Sequence, residues 1–128
     1  MEPGQLFIER RILESSATEM LNYRAHEPLV YRMVCQFEPA SGHKQLVLNE
    51  VPSAIRKRLD CLLEFCENNP GTSFVADSVL DGVSYTVRYS RKTWHLFCPD
   101  LAEMADVKRV GELLDALFDE LEKQRAEC

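Results

Sequence analysis

One short segment, "VSYTVRY" at positions 83–89, constrains the fold more than any other feature of this chain. Apolar and polar residues alternate along it, which is the period of a strand with one buried face. The preceding pair, Asp81 and Gly82, is typical of two-residue hairpin turns. We therefore predict that "SFVADSVL" (73–80) pairs with this strand, and that "TWHLFC" (93–98) adds a third antiparallel strand.

Two other segments have helical periodicity. The first runs from about position 52 to 68, and its apolar stripe consists of Ile55, Leu59, Leu62 and Cys66. The second begins near Asp106, a plausible cap, and carries the stripe Val107, Val110, Leu114, Leu117 and Leu121. Each helix has one apolar side, so each should pack against a sheet.

The N-terminal part is more ambiguous. Residues 28–37 are rich in β-branched and aromatic side chains and predict a strand, with residues 44–49 pairing back as a hairpin. Residues 5–23 fit both a strand alternation and a helical stripe, and we slightly favour the helix. The sum is one α+β, two-layer domain over residues 1–128. It has an antiparallel sheet of about five strands, with two or three helices packed on one face.

The charge is unevenly distributed. The chain carries a net charge of −6, and residues 100–128 hold nine acids against four bases. An acidic end of this kind repels phosphates, so we expect no binding to nucleic acid through it. The same charge favours a basic protein as the partner.

No residue pattern indicates catalysis or a bound metal. The five cysteines contain no CxxC pair, and Cys61 and Cys66, five apart on a helix, point in different directions. The histidines His26, His43 and His95 have no spacing that links them to a nucleophile. We therefore predict no catalytic residues, no metal and no cofactor, and expect that the protein is not an enzyme.

The N-terminus lacks the positive start and long apolar run of a signal peptide. The odd number of cysteines, without a secretion signal, favours reduced thiols. No run approaches the roughly 18 apolar residues that a membrane helix requires. We therefore expect a cytoplasmic protein that does not associate with membranes.

The final helix contains four acids in a row, Glu112, Asp115, Asp119 and Glu122. Their spacings of 3, 4 and 3 place all four on one face of the helix. Asp115 and Asp119 repel at a spacing of four, and the row extends toward the negative end of the helix dipole. Only Lys123 offers an obvious counter-charge, to Asp119. An acidic face is often just solvated, but the cost makes this row the candidate partner-binding site.

These observations favour a small acidic, non-catalytic protein-binding domain, either an immunity protein or an inhibitor that masks a basic toxin or nuclease. The order of elements is also similar to the fold of type III secretion chaperones, although the three-strand meander departs from it. That resemblance implies a dimer that binds an effector segment. A small enzyme of unknown class is a third alternative. A monomer and a homodimer both remain open for the inhibitor.

Overall fold

Seven strands and two helices make up the described part of the chain, which comprises residues 5–13, 17–24, 27–35, 42–76 and 82–127 of a computed structural model. In chain order the elements are β1 (Gln5–Ile12), β2 (Ala17–Arg24), β3 (Leu29–Cys35), β4 (Gly42–Leu48), α1 (Ser53–Asn68), β5 (Ser73–Val75), β6 (Val83–Tyr89), β7 (Lys92–Phe97), a short 3-10 helix (Pro99–Leu101) and α2 (Ala105–Glu127).

The strands form one sheet in the order β4-β3-β2-β1-β6-β7-β5. All neighbours are antiparallel except β5 and β7, which run parallel. The α+β class is confirmed, but the sheet has seven strands rather than about five. The two extra strands are β1 and β2, which pair with each other at the centre of the sheet.

The helix favoured for residues 5–23 is therefore wrong. Alternate side chains of the hairpin enter the core, and Leu6 and Ile8 of β1 are fully buried together with Leu21 of β2. A helix over this segment would not bury that set on one side, since positions 6 and 8 lie two residues apart. Long-range pairing of β1 with β6 decides between the two periodicities.

The hairpin predicted between residues 73–80 and 83–89 is also wrong where the structure describes it. Strand β5 ends at Val75 and pairs in parallel with β7, so that Phe74 lies opposite Leu96. The Ala76 amide extends this contact by donating to the Phe97 carbonyl at 3.2 Å. Asp81 lies outside the described residues.

Most other elements are confirmed. Strands β3 and β4 pair as predicted, α1 has the expected extent, and β6 pairs with β7 through a turn at Ser90 with positive φ. Helix α2 begins at Ala105, so Asp106 lies in its first turn rather than at its cap. The described helices contain no segment that is both long and apolar enough to cross a membrane.

Both helices pack on the same face of the sheet. The Phe65 ring of α1 lies 6.3 Å from the Trp94 ring of β7, and the Phe118 ring of α2 lies 6.4 Å from the Tyr31 ring of β3. Trp94, Tyr31 and Phe118 are among the largest fully buried side chains. No described helix covers the opposite face of the sheet, and we call this face the open sheet face.

Candidate partner-binding surface on the final helix

The four acids of the predicted row all lie on α2 and are exposed. They occupy one flank of the helix, beside its buried side, which includes Leu114, Leu117, Phe118 and Leu121. The apolar stripe anchors the helix to the sheet and thereby turns the acids toward solvent. The geometry that the sequence predicted for Glu112, Asp115, Asp119 and Glu122 is present.

A fifth acid joins the row through the tertiary structure. Gly111 of α2 faces the 3-10 helix so closely that a Cβ atom there would lie 2.8 Å from Cγ of Pro99. This close approach brings Asp100 beside Asp115, where its negative charge contributes to raising the pKa of the Asp115 carboxyl. We define the acidic surface as Asp100, Glu112, Asp115, Asp119 and Glu122.

The acidic surface has few counter-charges. Lys123 was expected to offset Asp119, but its Nζ lies 3.5 Å from Oε1 of Glu120 instead. Neither Glu112 nor Asp119 forms an ion pair or side-chain hydrogen bond within the part of the chain that the structure describes. Arg109 and Lys108 lie three and four residues before Glu112 on the same helix. These two carboxylates are thus available to a partner.

Asp115 differs from its neighbours because it also contacts the sheet. The Tyr85 hydroxyl of β6 donates a hydrogen bond to Oδ1 of Asp115. Burial raises the pKa of Asp115, and the negative charges of Asp100 and Asp119 raise it further. The Tyr85 hydrogen bond and the charge of Arg10 oppose this rise without cancelling it. Asp115 therefore links the acidic surface to the sheet.

A buried polar network lies under this part of α2. Arg10 of β1 sits directly opposite Glu19 of β2, and its Nε donates to Oε1 of Glu19 at 2.6 Å. The Tyr31 hydroxyl donates to the other carboxylate oxygen of Glu19. The Arg10 guanidinium lies 4.6 Å from the centroid of the Phe118 ring, which covers it from α2. Glu19 is the one charged residue that is buried among those described.

The groups of this network keep one protonation state at neutral pH. Burial acts to lower the pKa of Arg10, but the charge of Glu19 and its hydrogen bonds outweigh burial and raise it. Burial is also the main cause that raises the pKa of Tyr85, followed by its contact with Asp115. At neutral pH, Arg10 is therefore cationic and Tyr85 is protonated. This arrangement suits a structural ion pair better than a proton donor and acceptor.

Sequence reasoning missed this network. Its charged members lie in residues 5–23, for which a helix was favoured. A signal was nonetheless present, since Arg10 continues the inward alternation of Leu6 and Ile8, and Glu19 precedes Leu21 and Tyr23 in the same way. A charged residue at an inward position predicts a partner on the neighbouring strand.

Among the described residues, neither the thiols nor the candidate metal ligands form a second functional site. Burial raises the pKa of Cys66 to about 12, so its nucleophilic thiolate is scarce at neutral pH. The described residues contain no group of three or more histidines, cysteines or acids placed to hold a metal ion. The predicted absence of catalytic and metal-binding residues stays a prediction.

A cleft of about 410 Å³ opens between the end of α1 and the start of α2. Its apolar lining includes Phe65, Pro70, Trp94, Met104, Val107 and Val110. Met104 is 55% exposed at this cleft, although it is a large apolar side chain. The helical layer therefore offers two distinct features to a partner, the acidic surface and the apolar cleft. No protein-family model, curated protein or solved structure matches this chain.

Proposed function

We propose that this protein is a non-catalytic binding domain of the inhibitor or immunity-protein type, which binds a basic protein through the acidic surface. The observation that carries the proposal is the pair Glu112 and Asp119, which are both exposed and form no ion pair among the described residues. Both carboxylates are solvated in the free protein and lose water only when a partner binds. Complementary charge there accelerates association and selects against acidic competitors.

The structural cost of the surface supports the same proposal. Asp100 is brought next to Asp115 by close packing at Gly111, although the two carboxylates repel. A fold that concentrates like charges without offsetting them bears a local penalty, and a binding site is a common reason for one. The proposed setting is the cytoplasm, where a reducing environment keeps thiols such as Cys61, Cys66 and Cys98 free.

The proposal is tested by capture from the native cell with the tagged full-length protein at low and high salt. We expect a basic protein to be captured at low salt and released at high salt, because salt screens exposed charges. The triple variant Glu112→Gln, Asp119→Asn, Glu122→Gln should no longer capture this basic protein. Asp115 is left unchanged, since it also contacts Tyr85.

A matched control triple, Glu50→Gln, Asp60→Asn and Glu64→Gln, removes three exposed acids elsewhere and should retain the partner. Equal capture by the wild type and the acidic-surface variant would refute the proposal. So would equal loss by both triples, since net charge alone would then explain binding.

The apolar cleft supports a second candidate, a secretion-chaperone-like dimer that binds an extended effector segment. Its lining by Trp94, Phe65 and Met104 suits an apolar side chain of such a segment. This function predicts that the captured partner stays bound at high salt. It also predicts that the variant Met104→Ser, which changes an exposed side chain, no longer captures it. The salt dependence of capture therefore separates the two candidates.

A further inference from the structure

The open face of the sheet carries a charge opposite to that of the acidic surface. The register places four arginines on it from four strands, namely Arg11 of β1, Arg24 of β2, Arg32 of β3 and Arg88 of β6. Glu9 of β1 is the one acid on the same face among the described strand residues, and Glu27 follows β2 beside Arg24. We define the four arginines as the basic sheet face.

The four arginines are spread over the face and do not form a single cluster. Nε of Arg11 lies 3.1 Å from Oε1 of Glu9, and Arg24 contacts Glu27 at the same distance. The Arg88 guanidinium lies 5.9 Å from the centroid of the Phe7 ring. Arg32 and Arg88 are exposed, and the side chain of Arg11 is 61% exposed. Arg24 and Arg32 also interact within the chain. The described strand residues on this face nevertheless include four arginines against one acid, which is an excess of basic residues.

The dimensions of the two surfaces agree. Arg32 and Arg88 lie three strand steps apart, which is about 14 Å across the sheet. Arg11 lies six residues along β1 from Gln5, the residue opposite Arg24, which is about 20 Å along the strands. On α2, Glu122 lies ten residues beyond Glu112, which is about 15 Å along the helix. An acidic row of this length fits within the basic sheet face.

The two surfaces lie on opposite sides of the molecule, one on the helical layer and the other on the open sheet face. They cannot meet within one copy of the chain. Two copies that met through their sheet faces would bring arginines against arginines, and two that met through α2 would bring acids against acids. Of these arrangements, only the helical layer of one copy against the sheet face of the next pairs opposite charges.

We infer that the acidic surface also binds the basic sheet face of a second copy of this chain. The inference goes beyond the proposed function, because a second copy carries a net charge of −6 and is not the basic protein proposed above. The contact joins two different surfaces and leaves one of each free at the ends of the assembly. Further copies therefore add head to tail, and the assembly grows with concentration.

The test uses two complementary variants of the full chain. The acidic-surface variant is Glu112→Gln, Asp119→Asn, Glu122→Gln, and the sheet-face variant is Arg11→Gln, Arg32→Gln, Arg88→Gln. Mass is measured by sedimentation equilibrium over a concentration series at low and high salt. The wild type should form species larger than the monomer at low salt and lose them at high salt. Each variant alone should lose these species.

Mixing the two variants gives the decisive result. The acidic-surface variant keeps an intact sheet face and the sheet-face variant keeps an intact acidic surface, so one complementary contact remains. The mixture should form a one-to-one complex and nothing larger. A control variant with three bases of α1 neutralised, Arg56→Gln, Lys57→Gln and Arg58→Gln, should assemble like the wild type. Circular dichroism checks that every variant is folded.

A wild type that stays monomeric at all concentrations at low salt would overturn the inference. So would a mixture that forms no complex, or a variant that still assembles alone. If the monomeric wild type instead bound a single-stranded oligonucleotide and the sheet-face variant did not, the basic sheet face would belong to nucleic acid. The proposed function has a separate test. It fails if the wild type and the acidic-surface variant capture the same proteins from the cell.

Discussion

Two sets of charges meet at α2, and they differ in how they are neutralised. Arg10 and Glu19 lie under the helix, paired across neighbouring strands and shielded from water by Phe118. Glu112 and Asp119 lie on the outside of the helix and form no ion pair among the described residues. Buried charges are tolerated only when paired, whereas water solvates exposed ones. The buried pair therefore serves the fold, and the exposed pair remains available for binding.

Asp115 belongs to both sets. It is part of the acidic surface, yet it accepts a hydrogen bond from the buried Tyr85 and its pKa responds to Arg10. The row that looks uniform in the sequence is thus divided by the tertiary structure. Substitutions at Asp115 affect the fold and the surface together, and those at Glu112 or Asp119 affect the surface alone.

The largest effect is expected from breaking the buried pair. Arg10→Ala leaves Glu19 charged, buried and without its main partner, which should lower the free energy of unfolding by about 3–5 kcal/mol. Urea denaturation followed by circular dichroism measures this loss. The matched control is Arg11→Ala on the open sheet face, where the expected change is within about 0.5 kcal/mol.

A double variant sharpens this prediction. Replacing both Arg10 and Glu19 by methionine removes the two charges together, so much of the stability lost in Arg10→Ala should return. If Arg10→Ala and Arg11→Ala were equally mild, the distinction between buried and exposed charges would be broken.

An intermediate effect is expected at Asp115, and it depends on pH. The pKa of this carboxyl is raised in the folded state above the ordinary value of 3.8, mainly by burial. The protonated form is therefore favoured by folding. The resulting stabilisation is present below the ordinary pKa and is lost as the pH rises through the folded pKa.

Asp115→Asn should remove this dependence, because its amide oxygen still accepts the Tyr85 hydrogen bond but does not ionise. The variant should gain stability relative to the wild type as the pH rises from below 3.8 toward neutrality. The gain should stay below about 1 kcal/mol because Asp115 is partly solvated. Denaturation at several pH values measures it, and a constant difference would contradict the pKa shift.

The smallest effect on stability is expected from the exposed pair. Glu112→Gln with Asp119→Asn should change the free energy of unfolding by no more than about 0.5 kcal/mol, with a slight gain from reduced repulsion. Thermal unfolding at low and high salt measures this change. A loss of more than about 1 kcal/mol would show that these acids support the fold, which would remove the contrast with Arg10 and Glu19.

Local patterns were sufficient for several elements. Helix α1 and strands β3, β4, β6 and β7 were predictable because each has a clear period and clear boundaries. Residues 5–23 were not, because their apolar residues fit both periods, and pairing with β6 decided the outcome. The parallel contact of β5 with β7 involves only three residues on each strand, too few for a pattern to reveal.

The candidate site divides in the same way. The acids of α2 and their exposure follow from helical spacing, so the sequence alone located Glu112 and Asp119 on one solvent-facing flank. Asp100 joined them only through the close packing of the 3-10 helix on Gly111. The Arg10 and Glu19 pair and the basic sheet face required the register of the strands, which brings distant residues together.

By itself the sequence determined the α+β class, the periodic elements and the acidic flank of α2, because spacing along one element sets which side chains share a face. The tertiary structure decided the size of the sheet, the partners of the buried charges and the arrangement of arginines opposite the acids. These depend on which strands pair and in what register, and that choice is made by burying side chains far apart in the chain.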